Sequence, residues 1–236
     1  DGSAVYIVGD TTSTNFPVFP NPGAAQTTNK GNADAFVAKL NSADLSSAYV
    51  TYLGGAQAEE ALGVAVDGAG NAYVAGSTLS SDFPKTLGSF NAGNGSALNC
   101  TSQTNNPTQC SDAFVAKYGP TGNLVYATYL GGKLEDTANA IAVDSAGDQV
   151  FVTGLSYNPM TGFSNAFIGQ PSDAFIAILD GSGNFAHGIY VGGTGFDQGQ
   201  AIAVDGSGNV YMAGITNSTD LPVTNPFQAS FKQGGL

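Results

Sequence analysis

The chain has no tryptophan, one histidine and six basic residues among 236. Against those six stand 18 acidic residues, so the formal net charge is −12. Such a surface repels a phosphate backbone, which excludes nucleic acid as a partner. An anionic membrane surface is excluded for the same reason. Charged residues are only 10% of the total, where about a quarter is usual. Ser, Thr, Asn and Gly must therefore cover the surface, a composition frequent in extracellular proteins. No apolar run approaches the ~20 residues that cross a bilayer, and no signal peptide is visible. Catalytic signatures are scarce as well. The glycines sit in turns rather than before a helix, so no phosphate-cradling loop is expected. The single histidine, His187, has no marked nucleophile nearby. Hydrophobic residues still make up 42%, enough for one or two domains with a real core.

There are two cysteines, Cys100 and Cys110, in the polar, turn-rich stretch NCTSQTNNPTQC. A bridge there would tie the neck of an exposed loop and add roughly 2–3 kcal/mol in the chain-entropy model. It would also imply an oxidising compartment. The alternative is a pair of free thiols. No second pair of ligands lies nearby to make a zinc site.

What the chain has in abundance is repetition. VAVDGAGNAYVAGST begins at Val64, IAVDSAGDQVFVTGLS at Ile141 and IAVDGSGNVYMAGIT at Ile202. Tyr6, Tyr73, Phe151 and Tyr211 share a column. Asp34, Asp112 and Asp173 open DAFVAKL, DAFVAKY and DAFIAIL. Tyr52, Tyr129 and Tyr190 precede LGG, LGG and VGG. Three columns agreeing on one register define a true repeat, with units of approximately 1–55, 56–132, 133–193 and 194–236.

Each full unit holds four short apolar runs, termed a to d. Run a alternates large and small residues, as in Val64 and Val66 with Gly63 and Ala65. Period two means strand, and small residues on the second face mean that both faces pack. Runs b, c and d are rich in β-branched and aromatic residues. Asp67-x-x-Gly70-Asn71 joins a to b as a tight hairpin: Asp opens a type I turn and Gly takes the left-handed position. GPTGN (119–123) and DGSGN (180–184) play that part between c and d. The expected fold is all-β, a β-propeller of four-stranded antiparallel blades, with about three to four blade units in this chain. A solenoid is the alternative, although its repeats are usually shorter than about 50 residues.

The pattern YVTYLGG…GVAVDGAGNAYVAGST…DFP…DAFVAKY resembles the bacterial SBBP repeat, named for a seven-bladed β-propeller. The resemblance extends over essentially the whole chain. It implies a secreted or surface protein, in a family often carrying adhesion-type modules, and brings no established catalytic residues. About 13 strands are expected here, in the order b c d, a b c d, a b c d, a b, where seven blades need about 28. Either the chain is part of a longer protein or copies complete one another. Unpaired strand edges need cover, so partners are expected at both ends.

Fold-level analogy places the d-to-a links and the long b-to-c loops on one face of a propeller. The links carry Glu59, Glu60, Glu135, Asp136 and Asp197. These acids are the candidate site: a solvated acidic rim, a glycan or protein ligand site, or a cation site, for which clustered carboxylates suit calcium; no other cofactor is expected. The recurring NFP (15–17), DFP (82–84) and DLP (220–222), with YNP (157–159) in the third unit, read as a structural clasp or as a repeated ligand pocket. Asn94, Asn99 and Asn217 head glycosylation sequons. The function expected is a non-enzymatic extracellular scaffold for structure, adhesion or assembly. A carbohydrate-active or metal-dependent protein using the acidic mouth is the alternative.

Overall fold

The computed structural model describes residues 2–19, 24–86, 110–168 and 171–228. Among them are thirteen strands and no helix. The first sheet holds β1 (Ala4–Thr11), β2 (Asp34–Asn41) and β3 (Ser47–Leu53). The second holds β4 (Glu59–Val66), β5 (Ala72–Thr78), β6 (Asp112–Tyr118) and β7 (Leu124–Leu130). The third holds β8 (Asp136–Val143), β9 (Gln149–Ser156), β10 (Asp173–Asp180) and β11 (Phe185–Val191). The last is the pair β12 (Asp197–Val204) and β13 (Val210–Thr216). All pairings within the sheets are antiparallel and join consecutive strands. The order b c d, a b c d, a b c d, a b is therefore the one the repeat predicts.

The hairpins form as their residues dictate. Gly70, Gly147 and Gly208 adopt φ of 79°, 74° and 82°, the left-handed position of each a–b turn. In the first of these, Asp67 Oδ1 accepts the N–H groups of Ala69 and Asn71, and Asn71 Nδ2 donates to Asp67 Oδ2. Asp205 and Asp180 repeat the arrangement. These carboxylates are engaged in closing turns.

Period-two alternation divides the second sheet between two cores. Ala72 and Val74 of β5, Phe114, Ala116 and Tyr118 of β6, and Ala127 and Tyr129 of β7 face the first sheet. Tyr73 and Ala75, Ala113 and Val115, and Tyr126 and Leu130 face the third. A blade is thus the filling between two others, and alternating faces serve different neighbours. Polar contacts repeat the same step. Tyr6 Oη donates to Gly70 O in the next blade's hairpin, and Tyr73 Oη donates to Gly147 O one blade further on. Lys39 Nζ reaches Pro120 O and Lys117 Nζ reaches Gly181 O, each lysine lying over the tyrosine of its own blade.

At the inner edge, β4, β8 and β12 approach closely because their facing residues are small. A Cβ on Gly63 would stand 3.1 Å from Ala140 Cα. Asn139 Nδ2 donates to Gly199 O between β8 and β12.

Phe114 is fully buried and packs on Phe83 with ring centroids 4.7 Å apart. Phe114→Ala should cost about 3–5 kcal/mol, read as a lower urea midpoint. Tyr73→Phe should cost only about 1 kcal/mol, because it removes one hydroxyl and keeps the ring.

Candidate functional site: the carboxylate belt and the channel mouth

The five acids singled out in the sequence separate into two groups. Glu60 is exposed and Glu135 half-buried. Both line a cavity of about 490 Å³, with Asp10, Ser77, Ser111 and the edge of Glu59. Asp10, one strand position before the end of β1, joins them through the fold alone. Glu59, Asp136 and Asp197 are buried, at 2%, 0% and 1% exposure. They are the first residues of β4, β8 and β12.

Register explains the burial. Glu59 pairs with Thr78, and Thr78 with Asp112. Asp136 pairs with Ser156, and Ser156 with Asp173. Thr11 pairs with Asp34, and Asp197 with Thr216. Every blade thus carries a row of carboxylate, hydroxyl and carboxylate across its a, b and c strands, as far as those strands are present. Between blades the rows meet. The N–H of Glu59 donates to Ala33 O, that of Asp136 to Ser111 O, and that of Asp197 to Ser172 O. Each of these links joins the start of one blade's c strand to the start of the next blade's a strand.

The first glycine of each LGG or VGG sits in that junction. A Cβ on Gly131 would lie 2.7 Å from Asp112 Oδ1 and 3.0 Å from Asp136 Oδ2. At Gly54 it would meet Asp34 and Glu59, and at Gly192 Asp173 and Asp197. Glycine is required there because carboxylates press on it from two blades. The following glycine's N–H is the common donor: Gly55 to Glu59 Oε2 at 2.8 Å, Gly132 to Asp136 Oδ2 at 2.6 Å, and Gly193 to Asp197 Oδ2 at 2.9 Å. Asp34, Asp112 and Asp173 enter the sequence reading only as register markers. Their pairing with the acids of the a strands is a consequence of blade packing.

Burial pushes the Glu59 carboxyl up, against hydrogen bonds from Ser80, Thr78 and Gly55 and with repulsion from Asp34. Burial likewise raises Asp136 to about 7, opposed by Ser156 and the Gly132 N–H and reinforced by Glu135.

The NFP and DFP motifs are clasps. Phe83 is buried against Phe114 and Tyr129, its N–H donates to Tyr129 Oη, and Tyr129 Oη donates to Ser80 O. Phe16 and Tyr52 repeat this in the first blade. In the third unit Met160 replaces the phenylalanine and its N–H bonds Tyr190 Oη. Asp82 and Asp220 accept N–H groups of the d-to-a links from Ala56 and Thr194. His187 is exposed, with Nε2 3.5 Å from Ser164 Oγ. Cys110 is buried; Cys100, and with it the expected bridge, lies outside the described residues, as do Asn94 and Asn99. Asn217 is exposed, and its Oδ1 accepts the Phe196 N–H. Among the described residues no three His, Cys, Asp or Glu side chains gather closely enough to hold a metal by themselves.

Four-stranded antiparallel blades, packed face to face with their a strands adjoining, define a β-propeller segment. More particularly, residues 48–84, 125–159 and 188–222 match the family model described as the SBBP beta-propeller repeat, and the chain belongs to that family. Each match runs from a d strand through the junction and the next a and b strands to the clasp proline. An uncharacterised WD repeat-containing protein of Acanthamoeba polyphaga mimivirus is 29% identical over 120 residues, 48% of this chain and 9% of that protein. Hydrazine synthase of Kuenenia stuttgartiensis is similar at a TM-score of 0.41 and 12% identity, covering 88% of this chain and 46% of that one. The periplasmic gluconolactonase of Pseudomonas aeruginosa gives 0.41 and 11%, covering 93% and 49%. The chain therefore spans less than half the length of each of these proteins. No helix among the described residues is long and apolar enough to cross a membrane.

The raised Asp136 pKa has a testable sign. The folded state holds this proton more tightly than the unfolded chain, so Asp136 favours folding most below about pH 4. That contribution is lost as pH rises through about 7. In chelator-containing buffer, melting curves at pH 5 and pH 8 should show the decline, and Asp136→Asn should flatten it. An unchanged slope in the variant would refute the assignment.

Proposed function

We propose that the chain is a non-enzymatic, extracellular propeller scaffold that works by stacking blade on blade. One observation carries this reading: the two outer blades expose the faces that inner blades bury. Ala72 and Val74 of β5 are fully buried against the first sheet, whereas Val5 and Ile7, in the same columns of β1, are 41% and 43% exposed. Tyr73 is fully buried against the third sheet, whereas Tyr211 in its column of β13 is 57% exposed, beside Ile215 at 47%. The two open faces are the two halves of the interface that recurs inside the molecule. Further repeats of a longer polypeptide, or other copies of this chain, fit both. A head-to-tail contact of this kind closes into a ring or runs on as a filament. The low charge, the polar surface and the Asn217 sequon support an extracellular or cell-surface setting. Adhesion would fall to the long loops after each b strand.

Light scattering with electron microscopy tests the stacking. Tyr211→Glu places a charge on the open face without touching a core, and should abolish any self-association while leaving the melting midpoint nearly unchanged. A chain that stays monomeric at every concentration would eliminate the copy-to-copy form and leave stacking within one polypeptide.

The cavity shared by Asp10, Glu60 and Glu135 favours a second reading, a glycan-binding or glycan-cleaving mouth. A polysaccharide screen with the wild type and with Glu60→Ala/Glu135→Ala decides it. An inactive, non-binding wild type, or a variant that keeps all activity, removes that reading.

A further inference from the structure

The three junctions share one design but are not closed in the same way. At the first, every carboxylate oxygen has a donor. Glu59 Oε1 accepts the Thr78 hydroxyl at 2.7 Å and Oε2 accepts the Gly55 N–H. Asp34 accepts Gln26 Nε2 at 2.6 Å and the N–H groups of Lys30 and Gly31. The longer glutamate spans the junction and reaches the hydroxyl of the neighbouring strand.

At the second and third junctions an aspartate takes the glutamate's place and is one methylene shorter. Its Oδ2 keeps the glycine N–H, at Gly132 or Gly193. Its Oδ1 has no partner in either case, although both side chains are at most 1% exposed. At the second junction the Ser156 hydroxyl lies near Asp136 but donates to Asn158 O, and Oδ1 stays unpaired. A second buried carboxylate, Asp112 or Asp173, stands across the junction glycine from each aspartate. Buried polar groups are normally satisfied, and a buried charge without compensation is strongly unfavourable. Two independent junctions with the same shortened acid and the same orphaned oxygen point to a bound group that pairs with that oxygen.

We propose that the second and third junctions each bind a hard cation, calcium, between Asp112 and Asp136 and between Asp173 and Asp197. Calcium accepts carboxylate and carbonyl oxygens in irregular sets and tolerates few fixed angles, whereas magnesium keeps an octahedral shell of waters that a buried junction has little space for. Two carboxylates per ion, completed by loop carbonyls and water, give a site of moderate affinity. The ion would sit between consecutive blades, so that its binding locks one sheet to the next. This inference is independent of the stacking reading, since it concerns junctions inside the chain.

Equilibrium dialysis against calcium chloride after chelator treatment, with parallel melting curves in calcium, magnesium or sodium chloride, tests it. The expected result is one calcium at each of the two junctions and a rise in melting midpoint that grows with calcium concentration. Asp136→Glu/Asp197→Glu, which copies the closed first junction, should abolish both binding and shift. The reciprocal Glu59→Asp should add binding at the first junction and keeps the assay informative if the double variant folds poorly. Absence of calcium binding to the wild type would overturn the proposal and leave protons or water as the occupants. So would full binding by the folded double variant, or no gain in Glu59→Asp.

Discussion

Everything in this molecule depends on a sheet being covered on both of its faces. A two-sided sheet cannot set an apolar face against a polar one. Each strand must instead address two cores, and successive residues belong to different neighbours. The second sheet shows the result, with Tyr73 and Val115 packed toward one blade and Val74 and Phe114 toward the other. Removing either neighbour of such a blade would expose a complete apolar face. The open faces at Val5 and Ile7, and at Tyr211 and Ile215, are the same rule seen where the described blades stop.

The carboxylate belt is the polar counterpart of that packing. Strands a and c open with acids, the intervening b strand ends in a hydroxyl, and neighbouring blades bring acid against acid across a glycine. Apolar packing alone leaves the angle and height of one blade against the next loosely specified. Directional hydrogen bonds from the glycine N–H groups at residues 55, 132 and 193 set that height. The family's repeat unit fits this view, since each matched stretch runs from one blade's d strand across the d-to-a link to the next blade's clasp rather than along one whole sheet. The structural unit that recurs is the joint between blades.

The strands, their order and their hairpins are legible in the sequence because they rest on local chemistry. Period-two alternation, Asp-x-x-Gly-Asn turns and tyrosine columns act within a few residues, and the thirteen strands follow from them. The clasp is legible for a similar reason: an aromatic residue next to a proline after a strand has few other uses. Burial of Glu59, Asp136 and Asp197 is not legible. A carboxylate in a glycine-rich link reads as solvent-facing until the start of another blade's c strand is laid beside it, some 24 or 25 positions away in the chain. Asp10 meets Glu60 and Glu135 only in space, from two sheets and the link before a third.

By itself the sequence determined the all-β class, the blade as its building block, and a net charge of −12, because composition and short-range periodicity act without reference to distant residues. Only the tertiary structure decided which acids are buried, which share a cavity and which lack a partner. Those properties depend on how one sheet approaches the next. That approach is set by side-chain volumes and hydrogen bonds between segments that no short window of sequence contains.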